Sequence, residues 1–154
     1  MRTHNIETRS LVETPTAAVF ATMAVEELGI WIPQALEQVA MYLGRLGLGP
    51  VGMPYVRYHP SEPGTFEVEA GFPTTGPCPE SDGVRPSALP GGPAACLLYT
   101  GPYESMGNAY EALSGWLAAE GKEPDGDMWE VYLSDPDQEP DPTRWQTEIY
   151  QPYR

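Results

Sequence analysis

The apolar residues of this chain follow two kinds of spacing, and each kind occurs in both halves of the sequence. In two segments they recur every three or four residues, as on the buried face of an amphipathic helix. These residues are Ile32, Leu36, Val39, Leu43 and Leu46 in the first segment, and Met106, Ala109, Tyr110, Leu113, Trp116 and Leu117 in the second. Pro33 suits the first turn of a helix. Gly47 and Gly121 predict a left-handed cap where each helix ends.

Shorter apolar or alternating segments, typical of strands, lie on both sides of each predicted helix. One strand is predicted before each helix, over residues 18–25 and 94–99. Two follow each helix, over 55–59 and 65–70 in the first half and over 129–133 and 146–150 in the second. Residues 73–93 contain six prolines and four glycines, so they are expected to form a crossover with one edge strand over 84–89.

The two halves resemble two copies of one strand-helix-strand-strand unit. A shift of 74 residues places Tyr42 on Trp116 and Tyr58 on Tyr132, and five further residues inserted in the second half place Phe66 on Trp145. We therefore predict a single α+β domain with two pseudo-symmetric repeats, over about 1–73 and 94–154, joined by a crossover over about 74–93. Its antiparallel sheet is expected to carry the helices on one face.

Alternation along the strands separates an apolar face from a face of glutamates and tyrosines. Trp129 and Trp145 belong by this reading to the apolar face, against the helices. The other face is expected to gather Tyr58, Glu67, Glu69, Glu130, Tyr132, Glu148 and Tyr150. Aromatic rings attract organic cations, and a partly buried carboxylate supplies a counter-charge. A solvated outer face carries the same residue types, so the pattern alone leaves both interpretations open.

Charge narrows the choice of partners. Eight basic residues against 22 acidic ones give a net charge of −14, which disfavours binding to nucleic acids and to anionic membrane surfaces. The sequence contains no apolar segment as long as a membrane span and no signal peptide at its start, and its two cysteines are too few for a disulfide framework. We expect a cytoplasmic protein.

Metal and cofactor sites are not predicted. His4 and His59 have no other ligands at recognised spacings. The acidic run of Asp135, Asp137 and Glu139 is interrupted by prolines and lacks the glycine of a calcium loop.

Several motifs of the second half resemble the GyrI-like family, which also supplies the effector-binding domains of some AraC- and MerR-type regulators. These motifs are Tyr99-Thr100-Gly101-Pro102-Tyr103, Trp129-Glu130-Val131-Tyr132 with Asp135-Pro136, and Thr147-Glu148-Ile149-Tyr150-Gln151-Pro152. The resemblance implies a ligand cleft between two repeats, where aromatic residues and an acidic residue face cationic, amphipathic drugs. Glu130 matches that acidic residue, and Glu148 is the second candidate. The implied aromatic lining comprises Tyr103, Tyr110, Trp116, Tyr132 and Tyr150; for Tyr110 and Trp116, ordinary helix core is the alternative.

Three functions remain open. The first is a stand-alone binder that senses or sequesters a hydrophobic, cationic small molecule. The second is a hydrolase of cyclopropane-bearing genotoxins, with Glu130 or Glu148 as the catalytic residue. The third is an inhibitor of a basic protein partner such as DNA gyrase. The residues themselves leave open whether the protein is an enzyme, because the same side chains serve binding and catalysis.

Overall fold

Eight strands and two α-helices form the α+β fold of the computed structural model, which describes residues 5–48, 50–81, 83–135 and 138–154. The strands are β1 (Asn5–Leu11), β2 (Thr14–Met23), β3 (Tyr55–Pro60), β4 (Phe66–Pro73), β5 (Arg85–Leu89), β6 (Gly92–Thr100), β7 (Trp129–Tyr132) and β8 (Gln146–Pro152). The helices are α1 (Leu28–Arg45) and α2 (Gly107–Ala119). The predicted α+β class and both predicted helices are confirmed. His4 and Asp137, considered above as metal ligands, and Pro136 of the Asp-Pro motif lie outside the described residues.

The chain divides into two units, and each contains one four-stranded antiparallel sheet and one helix. Unit 1 comprises the described residues of Met1–Leu11 and Gly92–Arg154, and unit 2 those of Val12–Gly91. The strand order is β1-β6-β8-β7 in unit 1 and β5-β2-β4-β3 in unit 2. Each sheet therefore consists of the three strands of the predicted repeat and one added edge strand.

The two edge strands differ in how well the sequence predicted them. β5 confirms the edge strand expected over 84–89. β1 was missed, and it pairs with β6, so the first residues of the chain belong with the second half rather than with a repeat over 1–73. Its sequence, Asn-Ile-Glu-Thr-Arg-Ser-Leu, is mostly polar because an edge strand buries little of its surface.

Both helices end in the same hydrogen-bonded cap. Gly47 and Gly121 have φ angles of 71° and 70°, the left-handed conformation that glycine adopts without steric cost. The amide N–H of the residue after each glycine donates to the carbonyl of Leu43 or Leu117, at 2.9 Å in both helices. This is the Schellman arrangement that the glycines predicted.

The start of α1 differs from the prediction. The helix begins at Leu28, so Pro33 lies inside it rather than in its first turn. Proline has no amide hydrogen, so it cannot donate to the carbonyl of Gly29 one turn earlier. Gly29 is exposed, which leaves that carbonyl open to water.

Each helix covers one face of its own sheet. In unit 1, Leu113 and Leu117 of α2 pack in a buried cluster with Leu97 and Ile149 of the sheet. In unit 2, Val39, Tyr42 and Leu43 of α1 pack in a second cluster with Ala17. We call these the helix faces of the two sheets, and the opposite sides the far faces. None of the helices formed by the described residues has the length and hydropathy of a membrane span.

Candidate functional site

Strand pairing places the two predicted glutamates of unit 1 on different faces. Residues directly opposite each other in an antiparallel ladder point to the same face. Glu130 pairs with Ile149, which packs with α2, so Glu130 and its i+2 neighbour Tyr132 lie on the helix face. Trp129 pairs with Tyr150 on the far face, where their rings stack at 5.3 Å. The expected grouping of Glu130 and Tyr132 with Glu148 and Tyr150 was therefore wrong, as was the expected position of Trp129.

A similar correction applies to Tyr58 in unit 2. It pairs with Val68, which shares a face with Ala70 and with the helix-face residue Val19, and its ring meets Phe66 edge-on at 6.1 Å. Tyr58 thus lies on the helix face, whereas Glu67 and Glu69 lie on the far face as predicted. In both units the error has one cause: both faces carry large apolar side chains, so hydrophobicity does not identify the side that meets the helix.

On the helix face of unit 1, one buried carboxylate is bonded to a tyrosine that belongs to a cluster of three aromatic rings. Glu130 is only 4% exposed, and its Oε1 accepts a hydrogen bond of 2.7 Å from the Tyr132 hydroxyl. The ring of Tyr103 lies 5.8 Å from that of Tyr132 and 4.8 Å from that of Trp145. We call Tyr103, Glu130, Tyr132 and Trp145 the helix-face site. Three of the four were predicted as site residues, and Trp145 was assigned to the core.

The Gly-Pro-Tyr motif places Tyr103 in this site. Gly101 has a φ angle of 145°, and a Cβ atom there would lie 2.8 Å from the Tyr99 hydroxyl oxygen. Its amide donates to the Trp145 carbonyl at 2.8 Å, and the Tyr99 hydroxyl donates to the Pro102 carbonyl at 2.6 Å. A short 3-10 turn, Tyr103–Ser105, follows. Glycine is therefore required where the chain turns to bring Tyr103 over Trp145.

Two carboxylates act on the Tyr103 phenol. Burial raises the pKa of this phenol above its ordinary value, and the charges of Glu130 and Asp135 raise it further. Nearby negative charge of this kind disfavours an anion and favours a positive group at the same position. Aromatic rings beside a carboxylate are the side-chain types that attract organic cations.

The second candidate glutamate, Glu148, already has a cationic partner on the far face. Arg9 of β1 donates from Nη1 to Glu148 Oε2 at 3.1 Å and to the Tyr150 hydroxyl at 2.5 Å, and from Nε to Glu7 at 2.8 Å. Burial, followed by the proximity of Cys96 and Glu148, raises the pKa of Tyr150. A hollow of about 180 Å³ adjoins this group, with Asn5, Leu98 and Cys96 in its lining. Arg9 was not predicted as a site residue, because β1 was not predicted as a strand.

Unit 2 holds a buried carboxylate on its own far face. Glu69 is 2% exposed and accepts hydrogen bonds from the Tyr55 hydroxyl and from the Ser87 hydroxyl at 2.7 Å. His59 Nε2 lies 3.0 Å from the other carboxylate oxygen of Glu69. The Thr16 hydroxyl lies 2.8 Å from the Tyr55 hydroxyl. Burial, followed by the charge of Glu69, raises the pKa of Tyr55. These bonds engage both oxygens of Glu69, which assigns it a structural role.

The remaining predicted residues lie on α2. Tyr110 and Trp116 are partly buried and pack against the core cluster of unit 1, the alternative given above for both. Their role as ligand lining stays a prediction. Across the described ranges, His, Cys, Asp and Glu side chains nowhere gather in a group of three that could hold a metal ion.

Comparison with known proteins yields one family and several related structures. The family model of the GyrI-like small molecule binding domain matches residues 6–154. The crystal structure of the EcmrR C-terminal domain is similar, with a TM-score of 0.81, 18% identity and 98% of both chains covered. EcmrR in its complex with DNA gives a TM-score of 0.85 and 19% identity; the match covers 98% of this chain but only 57% of that one.

Two other structures share the fold at lower identity. SAV2435 bound to tetraphenylphosphonium has a TM-score of 0.62 and 11% identity, over 97% of this chain and 94% of that one. A hydrolase from Listeria innocua has a TM-score of 0.69 and 12% identity, over 97% and 91%. We find no curated protein whose sequence matches this chain.

Proposed function

This chain belongs to the GyrI-like small molecule binding domain family, and we propose that its helix-face site binds a hydrophobic organic cation. The observation that carries the proposal is the Glu130 carboxylate, which is 4% exposed and bonded to Tyr132 at one end of a row of three packed rings, Tyr132, Tyr103 and Trp145. Sensing or sequestration of such a compound needs no further chemistry from the protein.

Burial strengthens the attraction between the Glu130 carboxylate and a cation. The carboxylate is largely removed from water, so an opposite charge beside it is screened less than at the surface. A cation whose charge is spread over an apolar body can approach such a carboxylate without a large dehydration cost of its own. Each ring face adds about 0.5–2 kcal/mol of cation–π attraction. The net charge of −14 further favours the approach of cations.

A related structure supports this class of ligand. SAV2435 is bound to tetraphenylphosphonium, a cation with an entirely apolar surface. That compound is therefore a suitable first probe for this chain. Its neutral analogue, triphenylphosphine oxide, presents similar rings without the positive charge.

Calorimetric titration tests the proposal. The wild-type protein is expected to bind tetraphenylphosphonium more tightly than triphenylphosphine oxide. Glu130→Gln keeps the shape of the side chain and removes its charge, so it should weaken cation binding about tenfold to a hundredfold while affecting the neutral analogue less. Glu148→Gln is the matched control, and we expect it to keep the affinity because Glu148 lies on the far face beside Arg9. Equal losses in the two variants would contradict the assignment of Glu130.

Hydrolysis is a second candidate, because the Glu130–Tyr132 contact pairs a carboxylate with a phenol. Glu130 would act as general base on water and Tyr132 would orient the leaving group. One protein of this fold, from Listeria innocua, is a hydrolase. Mass spectrometry of a cyclopropane-bearing alkylator incubated with the protein separates the two functions. Recovery of the intact compound supports a binder, whereas turnover that Glu130→Gln abolishes supports an enzyme.

A further inference from the structure

One buried hydroxyl beside the helix-face site is unsatisfied. Thr147 is fully buried in β8, and its Oγ1 has no hydrogen-bond partner within the described part of the chain. Buried polar side-chain atoms are nearly always paired, and an unpaired one costs about 1–3 kcal/mol. The unpaired hydroxyl is explained if its hydrogen-bond partner is an atom of a bound ligand.

The tyrosine hydroxyls on the strands beside Thr147 already donate hydrogen bonds to other acceptors. On the helix face Thr147 lies between Tyr99 of β6 and Tyr132 of β7, which are its direct partners across the two strands. The Tyr99 hydroxyl donates to the Pro102 carbonyl, and the Tyr132 hydroxyl donates to Glu130. Both phenolic hydrogens are thus committed to other acceptors.

Thr147 lies next to the side chains that form the site. Tyr132 is its cross-strand partner, and Trp145 precedes it by two residues, directly before β8 begins. The ring of Tyr103 packs on both of these residues and is itself 38% exposed. A guest bound against the rings of Tyr103 and Tyr132 would therefore lie beside the strand position of Thr147.

From this position we propose that Thr147 is the hydrogen-bonding residue of the helix-face site. The preferred ligand is then a hydrophobic cation that also carries a hydroxyl, amine or carbonyl group, rather than a cation with a purely hydrocarbon surface. A threonine hydroxyl can donate or accept, so it recognises each of these groups. This inference rests on the proposed function of the same site.

Matched phosphonium cations test this preference. Tetraphenylphosphonium is compared with the three (hydroxyphenyl)triphenylphosphonium isomers, which add one hydroxyl at the ortho, meta or para position. In calorimetric titrations, the wild-type protein is expected to bind at least one isomer about five- to tenfold more tightly than the parent cation. Thr147→Val replaces the hydroxyl by a methyl group, and the preference should disappear in this variant.

Two further measurements make the result decisive. Thr147→Ser keeps the hydroxyl and is expected to keep the preference. Without ligand, Thr147→Val should unfold at the same or a higher temperature, because it removes an unpaired polar atom. Equal wild-type binding of all four cations, or a preference that persists in Thr147→Val, would overturn the inference and leave the proposed function standing. Failure of every cation to bind the wild-type protein would overturn both.

Discussion

Glu130 and Glu148 lie on neighbouring strands of one sheet, and their carboxylates point to opposite sides of it. Glu130 pairs with Ile149, whereas Glu148 pairs with Val131 in the next pair of the ladder. The side that Glu130 faces is aromatic, and the side that Glu148 faces already contains the guanidinium of Arg9. Two glutamates that look interchangeable in sequence thus have different chemistry, and we assign the counter-charge for a ligand to Glu130.

The contribution of the Tyr103 ring can be separated from that of its hydroxyl. Because the ring faces Tyr132 and Trp145, Tyr103→Ala should weaken tetraphenylphosphonium binding about three- to tenfold. Tyr103→Phe retains the ring and should bind like the wild type. Calorimetric titration of both variants measures the difference. If Tyr103→Phe lost as much affinity as Tyr103→Ala, the hydroxyl rather than the ring would be responsible.

Alkaline pH should destabilise the folded protein. Burial, with the charge of Glu148, raises the pKa of Cys96 to about 11, and burial also raises the pKa of Tyr55 and of Tyr150. Since these groups keep their protons to higher pH when folded than when unfolded, their stabilising contribution is complete below about pH 9 and is lost as pH rises above it. Urea unfolding at pH 8, 9, 10 and 11 should show a falling free energy of unfolding. A value that stays constant to pH 11 would contradict these shifts.

The same burial should protect the Cys96 thiol from alkylation. At pH 8, three units below its folded value, roughly one molecule in a thousand carries the reactive thiolate. In a Cys78→Ser variant, iodoacetamide should therefore modify native Cys96 slowly at pH 8 and much faster after unfolding in urea. Mass spectrometry over time measures both rates. Equal rates in the two states would show that the thiol is accessible and ionised in the folded protein.

Glu69 and Glu67 provide a matched pair on one strand of unit 2. Both lie on the far face, but Glu67 is exposed. Glu69 is buried and bonded to the side chains of Tyr55, His59 and Ser87. Glu69→Ala leaves the Tyr55 and Ser87 hydroxyls without their acceptor, so it should lower the free energy of unfolding by about 3 kcal/mol. Glu67→Ala should change it by less than about 0.5 kcal/mol. Urea denaturation of both variants tests the contrast, and similar values would refute the structural role of Glu69.

Much of the fold could be predicted because its signals are local. Helical spacing located α1 and α2, and Gly47 and Gly121 marked the ends of both helices. β1 was missed because a polar edge strand has little apolar pattern, and it is recognised as a strand only through its pairing with β6. A helix or strand can be predicted from sequence when its own residues carry the pattern, and it is missed when only its pairing partner identifies it.

The site was harder to predict because the face on which a residue lies depends on register. A shift of one residue in the pairing of β7 with β8 moves every side chain of β7 to the other face. Both faces of β7 carry large apolar side chains, so hydrophobicity did not indicate that register, and Glu130 and Tyr132 were grouped with the wrong partners. Thr147 was not predicted as a site residue for a related reason. The sequence does not indicate that the hydroxyl of a single threonine is buried without a partner. The family resemblance, by contrast, is carried by motifs and not by the alternation of faces. It therefore predicted Tyr103, Glu130 and Tyr132 together as site residues.

The two far-face carboxylates have a consequence for how the halves of this chain diverged. Glu69 and Glu148 each lie on the third strand of their repeat, and each is bonded by the added edge strand, through Ser87 of β5 and Arg9 of β1 respectively. One copy neutralises its acid with a cation, and the other stabilises it mainly with neutral hydroxyl groups. A hybrid gene with β1 in place of β5 would put an arginine where Glu69 now has the Ser87 hydroxyl, and the reverse exchange would leave Glu148 facing a serine instead of Arg9. The two edge strands are therefore not interchangeable at this position, although the strand order of the two copies is the same.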